Sequence, residues 1–142
     1  MQQQTKIYLD IDGVLLANEL NAANYAKEFI ERIVSEYPVY WLTTHCQGDA
    51  SVPVSHIKHL FDDATVRLLE QIKPTKWEHA KTEAIDFSSP FLWYDDDLFD
   101  DEREALRQHN ALDNWIQVDL AKNPDALRAF LISFPIPLTT VK

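Results

Sequence analysis

Asp10 and Asp12 stand one residue apart in K-I-Y-L-D-I-D-G-V-L-L, the segment from Lys6 to Leu16, and interrupt an otherwise apolar run. Ionised carboxylates placed together at the margin of a core repel each other and lose hydration, so the pair is either exposed at a strand end as ordinary turn chemistry or meant for a cation. A second acidic group, Asp95, Asp96 and Asp97, ends the run F-L-W-Y. Between them, V-Y-W-L-T-T-H brings two hydroxyls, Thr43 and Thr44, to the end of another apolar stretch, and Lys76 follows the break Lys73-Pro74-Thr75. Aspartates, a hydroxyl and one ammonium are what phosphoryl transfer to a carboxylate nucleophile requires. Such a nucleophile meets a phosphate dianion only if a divalent cation offsets the repulsion. Asp10, Asp12, Asp95 and Asp96 against Lys76 leave the group about three charges negative, which favours Mg²⁺ on oxygen ligands.

The elements that must position these residues are readable from periodicity. Ile7 to Ile11 forms a short buried strand, followed by a turn at Gly13. From Asn21 to Tyr37 apolar side chains recur at helical spacing until Pro38 stops them, and Val39 to Thr43 is a second strand. The segment from Thr44 to Pro53 has loop chemistry, and one or two short helices lie between Val54 and Ile72. Thr75 serves as N-cap for a helix from Lys76 to about Ile85, with Glu78 completing a capping box. Phe91 to Tyr94 and Trp115 to Val118 are further strands, separated by a helix from about Asp100 to Gln108. Pro124 opens a last helix, and Pro135-Ile136-Pro137 reads as an extended tail. Strands alternating with helices predict an α/β fold with a mainly parallel sheet covered on both faces. Ligands of such sheets bind at the carboxyl ends of the strands, where all the candidate residues fall.

The chain has 142 residues, enough for one domain spanning 1–142, and its hydrophobic fraction of 46% with four tryptophans predicts a folded core. A net charge of −10 repels nucleic acid and anionic membranes at long range unless a local basic patch overrides it. The single cysteine, Cys46, forms no internal disulfide and reads as a quiet small hydrophobe rather than a nucleophile; no Cys/His cluster has zinc-ligand spacing along the chain. Without an apolar leader or a membrane-length apolar run, the expectation is a soluble cytoplasmic protein with no membrane partner. His45 lies near the expected site and matches no motif. The tryptophans read as core, with Trp77 a candidate pocket wall, and Asp100, Asp101, Glu102 and Glu104 read as a solvated helix start.

Taken in order, D-I-D-G-V resembles the first motif of the haloacid dehalogenase (HAD) superfamily, L-T at Leu42-Thr43 its second, Lys76 its third and W-Y-D-D its acidic fourth. The resemblance implies a three-layer Rossmann-like fold and a phosphohydrolase. It makes Asp10 the nucleophile that becomes an aspartyl-phosphate and Asp12 the acid that protonates the leaving group and then activates water. Thr43 and Lys76 would hold phosphoryl oxygens, while Asp95 or Asp96 would complete the Mg²⁺ shell with Asp10 and the Asp12 backbone carbonyl. Thr44 competes with Thr43, Lys73 with Lys76, and Asp97 is a third choice for the metal.

The spacings between these motifs leave no room for a cap domain, so the resemblance is to capless members with open sites. Their substrates tend to be large: phosphoproteins or nucleic-acid ends. W-L-T-T-H and F-L-W-Y-D-D are also similar to the HAD domains associated with "Swiss army knife" RNA repair proteins. Two other functions compete. A catalytically silent HAD fold would bind without turnover. A receiver domain also carries Asp, Thr and Lys at strand ends, but puts its acidic pair after the first strand without the D-x-D spacing and its phosphorylated aspartate after the third.

Overall fold

The computed structural model describes residues 4–133, and the tail expected at Pro135-Ile136-Pro137 lies outside them. In chain order the elements are β1 (Lys6–Leu9), β2 (Leu16–Asn18), β3 (Asn21–Ala22), α1 (Ala26–Glu36), β4 (Val39–Trp41), α2 (Ser51–Ile57), α3 (Asp63–Leu69), β5 (Phe91–Asp95), α4 (Asp100–Gln108), β6 (Trp115–Gln117) and α5 (Ala126–Ser133). The main sheet runs β4-β1-β5-β6 with every pairing parallel. After β1 the chain adds β4 on one side, then crosses to add β5 on the other. That reversal makes the carboxyl end of β1 a topological switch point.

Side chains alternate across a strand, and this sorts the core into two layers. Ile7, Leu9, Trp41, Leu92 and Tyr94 pack on one face with Phe29, Ile30 and Ile33 of α1, Leu69 of α3 and Leu127 of α5. Tyr8, Phe91 and Trp93 face the other way, onto Leu106 of α4 and Ile85. The expected three-layer α/β architecture is therefore present, and the described residues contain no cap domain. No helix among them is long and apolar enough to cross a membrane. Helix α1 shows why patterning succeeds in this chain: Ala26, Phe29, Ile30 and Ile33 are its buried positions, one stripe at i, i+3, i+4, i+7.

Two expectations fail for local reasons. The helix expected from Asn21 starts only at Ala26, because Asn18 Oδ1 accepts from Leu20 N–H (2.9 Å) and Asn21 Nδ2 (3.1 Å) and turns the chain into the β2–β3 hairpin. The helix expected over 76–85 is replaced by irregular chain and a single 3₁₀ turn, Lys81–Ala84. Thr75 does not cap it; its hydroxyl donates to the Trp41 carbonyl. Glu83, not Glu78, gathers the free donors, accepting from Glu78, His79 and Ala80 N–H at 3.0, 3.1 and 3.0 Å. Pro124 also falls before the last helix rather than at its first position.

The junction of β1, β5 and α5 rests on Phe29, which is fully buried, with its ring edge-on to Tyr94 at 5.1 Å and tilted to Phe130 at 6.3 Å. Phe29→Ala should cost about 3–5 kcal/mol, as aromatic truncations in close-packed cores do. Urea unfolding should show a lower midpoint at an unchanged slope.

Candidate functional site

Asp10 lies two residues after Tyr8 and Asp95 two after Trp93, so both carboxylates take the face that Tyr8 and Trp93 occupy. The register Leu9↔Tyr94 then sets them abreast, and Asp10 N–H donates to Tyr94 O at 3.1 Å. The same face is covered by the turn Lys81–Ala84, held down by Ile85 in the core beneath it. Its first residue is brought between the two carboxylates. Lys81 Nζ stands 2.7 Å from Asp95 Oδ2 and 3.3 Å from Asp10 Oδ2, with Asp10, Asp95 and Lys81 only 7%, 2% and 9% exposed.

Lys81 was not foreseen. Lys76, the expected phosphate-binding lysine, is exposed in irregular chain beside Gly48, and its rival Lys73 lies against the Tyr40 ring, 5.7 Å from its centroid. The reason is the missing helix: without it, the segment runs irregularly from Pro74 to Ala80 before the 3₁₀ turn places Lys81 over the sheet. The only local hint was Glu83, a residue suited to the third position of a helical turn opening at Lys81. Glu102 was also misread. It is 3% exposed, not solvated, and its carboxylate accepts from Phe99 N–H (3.1 Å) and Lys81 N–H (3.2 Å). One side chain thus fixes both the start of α4 and the backbone of the site lysine.

The acidic run after β5 divides its labour. Asp95 Oδ2 accepts from Lys81 Nζ (2.7 Å) and Trp93 Nε1 (3.2 Å), and its Oδ1 from Asp96 N–H (2.7 Å) and Asp97 N–H (3.4 Å). With both oxygens engaged, Asp95 anchors the loop. Asp97 accepts from Leu98 N–H at 2.9 Å and stands outside the carboxylate cluster. Asp96 lies over Gly13, where a Cβ would meet Asp96 Oδ2 at 2.5 Å and Asp96 Cβ at 2.9 Å. Gly13 also has φ +79°, so both its backbone and its lack of side chain are needed.

Carboxylate oxygens of Asp10, Asp95 and Asp96 lie within 4.8 Å of one another, a hard oxygen set that fits a divalent cation such as Mg²⁺. Since Asp95 is saturated by protein donors, Asp10 and Asp96 are the residues that could hold it. The electrostatics agree. Burial, and then the charge of Asp10, pushes the Asp95 carboxyl up to about 7 against the pull of Lys81. Desolvation against its neighbours, with the bond to and charge of Asp95, pushes Asp96 up to about 6. Burial alone would lower the Lys81 pKa, but Asp10 and Asp95 outweigh it and hold the ammonium above its ordinary value.

Around this centre, Thr43 is fully buried and its Oγ1 accepts from His45 N–H at 3.3 Å, whereas Thr44 is exposed. Asp12 is turned outward, its side chain 63% exposed, and Oδ2 meets His45 Nε2 at 2.8 Å. Cys46 is buried, with its thiol toward Asp49 O and Thr75 O. Trp77 packs against the Trp93 layer, and its backbone N–H donates to Gln47 Oε1.

Two outcomes follow from this geometry. Raised carboxyl pKa values mean that the fold binds protons more tightly than the unfolded chain. In metal-free protein this contribution is therefore complete below about pH 4 and is lost as pH rises toward 7. Chelated protein should lose a few kcal/mol between pH 5 and 8 by thermal or urea unfolding, and Asp95→Asn should flatten that slope. Separately, Gly13→Ala should cost about 1–2 kcal/mol for the left-handed backbone. It should also displace Asp96 and weaken divalent-cation binding in calorimetry, while Asp97→Asn leaves that binding nearly intact.

No family model, curated protein or solved structure matches this chain, so the chemistry of the site rests on its own side chains.

Proposed function

We propose that the chain is a Mg²⁺-dependent phosphohydrolase of the capless HAD type, acting through an aspartyl-phosphate on Asp10. The observation that carries this reading is a nearly buried Asp10 at the switch point of a parallel sheet, with the Lys81 ammonium 3.3 Å away and two further carboxylates beside it. A carboxylate so held is fixed in orientation and poor in water, as a nucleophile must be.

In the first step an Asp10 oxygen bonds to phosphorus as the bond from phosphorus to the leaving oxygen breaks, and Asp12 delivers its proton to that oxygen. Water then attacks phosphorus, Asp12 takes the water's proton, and the acyl-phosphate bond breaks to release phosphate and restore Asp10. Lys81 neutralises charge on the nucleophile and on transferring phosphoryl oxygens. Asp10 and Asp96 would hold a Mg²⁺ that supplies further charge neutralisation at the phosphoryl group. The outward position of Asp12 suits an acid that serves a leaving group arriving from solvent.

Access supports a large substrate. The segment after Asp12 folds only into the small β2–β3 hairpin, and that between Thr44 and Lys81 only into α2, α3 and short turns, so neither builds a lid over Asp10. Small esters would gain few contacts beyond the phosphate, and remote binding energy would be unavailable to raise turnover. A phosphorylated protein or nucleic-acid end docks on the surrounding surface instead.

Phosphate release from small esters, phosphopeptides and 5′- or 3′-phosphorylated oligonucleotides, with and without Mg²⁺, tests this. Asp10→Asn should abolish turnover and Asp12→Asn lower kcat by about 10²–10⁴-fold. Lys81→Ala should lose about 10²–10³-fold, whereas Lys76→Ala should behave as wild type. Asp10→Asn with full turnover would rule out the aspartyl-phosphate route, and phosphate binding without hydrolysis on every substrate would leave a silent binding module instead.

A further inference from the structure

Asp12, His45 and His56 come from three separate segments, the loop after β1, the loop after β4, and α2, and they meet at one edge of the site. Their ligand atoms all lie within 4.8 Å of one another. His45 Nε2 contacts Asp12 Oδ2 at 2.8 Å, and the His45 and His56 rings stack at 3.9 Å with 22° between their planes. His45 is further fixed through its backbone N–H on Thr43 Oγ1, while Asp12 and His56 are exposed and have room to turn.

We propose that Asp12, His45 and His56 form a second cation site, distinct in chemistry from the carboxylate cluster of Asp10, Asp95 and Asp96, which takes a first-row transition ion such as Zn²⁺. Two imidazoles and one carboxylate are the donors that zinc, and not magnesium, prefers. Tetrahedral zinc with bonds of about 2.0–2.1 Å needs its ligand atoms roughly 3.4 Å apart, so His56 closes in by about 1.4 Å at most while the Asp12–His45 contact, now 2.8 Å, opens by about 0.6 Å. The stacked rings do not aim their lone pairs at one point as they stand. Rotation of the exposed His56 about its side-chain torsions unstacks them and brings its nitrogen beside the Asp12–His45 pair. Three protein donors leave one position for water or for an oxygen of a bound anion. An ion there would also engage the carboxylate assigned the acid role; that consequence rests on the phosphohydrolase reading, whereas the site does not.

The test is calorimetric titration of chelator-treated full-length protein with Zn²⁺ in excess Mg²⁺, which fills the carboxylate cluster. One zinc should bind, with affinity at least tenfold weaker in His56→Ala and in His45→Ala and unchanged in Asp10→Asn. His56 is exposed, so its truncation leaves the fold intact, and Co²⁺ in place of Zn²⁺ should give a visible spectrum that His56→Ala removes. Equal zinc affinity in wild type and both histidine variants would overturn the proposal, as would absence of binding, or binding lost in Asp10→Asn with both histidines present.

Discussion

Everything at the carboxyl edge of this sheet depends on one ammonium among buried carboxylates. Asp10 and Asp95 are adjacent because β1 and β5 pair in parallel register, and without Lys81 between them their mutual repulsion and lost hydration would oppose the fold. A buried pair of this kind adds little net stability, since desolvation consumes most of the Coulombic gain. Its effect is positional. Lys81 Nζ can satisfy both carboxylates only from one place, so the turn Lys81–Ala84, the Glu102 carboxylate on its backbone and the start of α4 become fixed relative to the strand ends.

The ammonium compensates only part of the charge, and the surplus falls on Asp96. Asp95 spends its four hydrogen bonds within the protein, which shapes the loop so that Asp96 projects over Gly13 toward Asp10. Loop shape and electrostatics thus come from the same residue. The glycine belongs to the tight turn after β1, in which Ile11 O accepts from the N–H groups of Val14, Leu15 and Leu16 while Ile11, Val14 and Leu15 are fully buried. Apolar anchorage on both flanks lets a polar loop hold a precise form at a solvent-facing edge.

The second layer of the site is wetter. Asp12, His45 and His56 occupy the rim, on loops and on a short helix, where side chains can change rotamer at small cost. A buried, hydrogen-bonded centre thus borders a rim that includes the exposed Asp12 and His56.

What the sequence determined by itself was whatever depends on local periodicity. The parallel α/β class, α1 through Ile33, β5 leading into its aspartates and α4 from Asp100 to Gln108 were all legible, because alternation and helical spacing are properties of neighbouring residues. Asp10, Asp95 and Asp96 as one cluster were legible too, since strand ends in such a sheet share an edge. The tertiary structure alone decided which lysine stands between the strand-end carboxylates. Lys73, Lys76 and Lys81 differ little in local chemistry, and it is Lys81 that meets Asp10 and Asp95 because its turn is pressed onto the Trp93 face by Ile85 and tied there by Glu102. It likewise decided that Glu102 is buried, and that His45 and His56 meet Asp12 although no metal-ligand spacing joins them along the chain. Contacts between residues far apart in sequence are set by how the layers close over the sheet, and no local pattern encodes that closure.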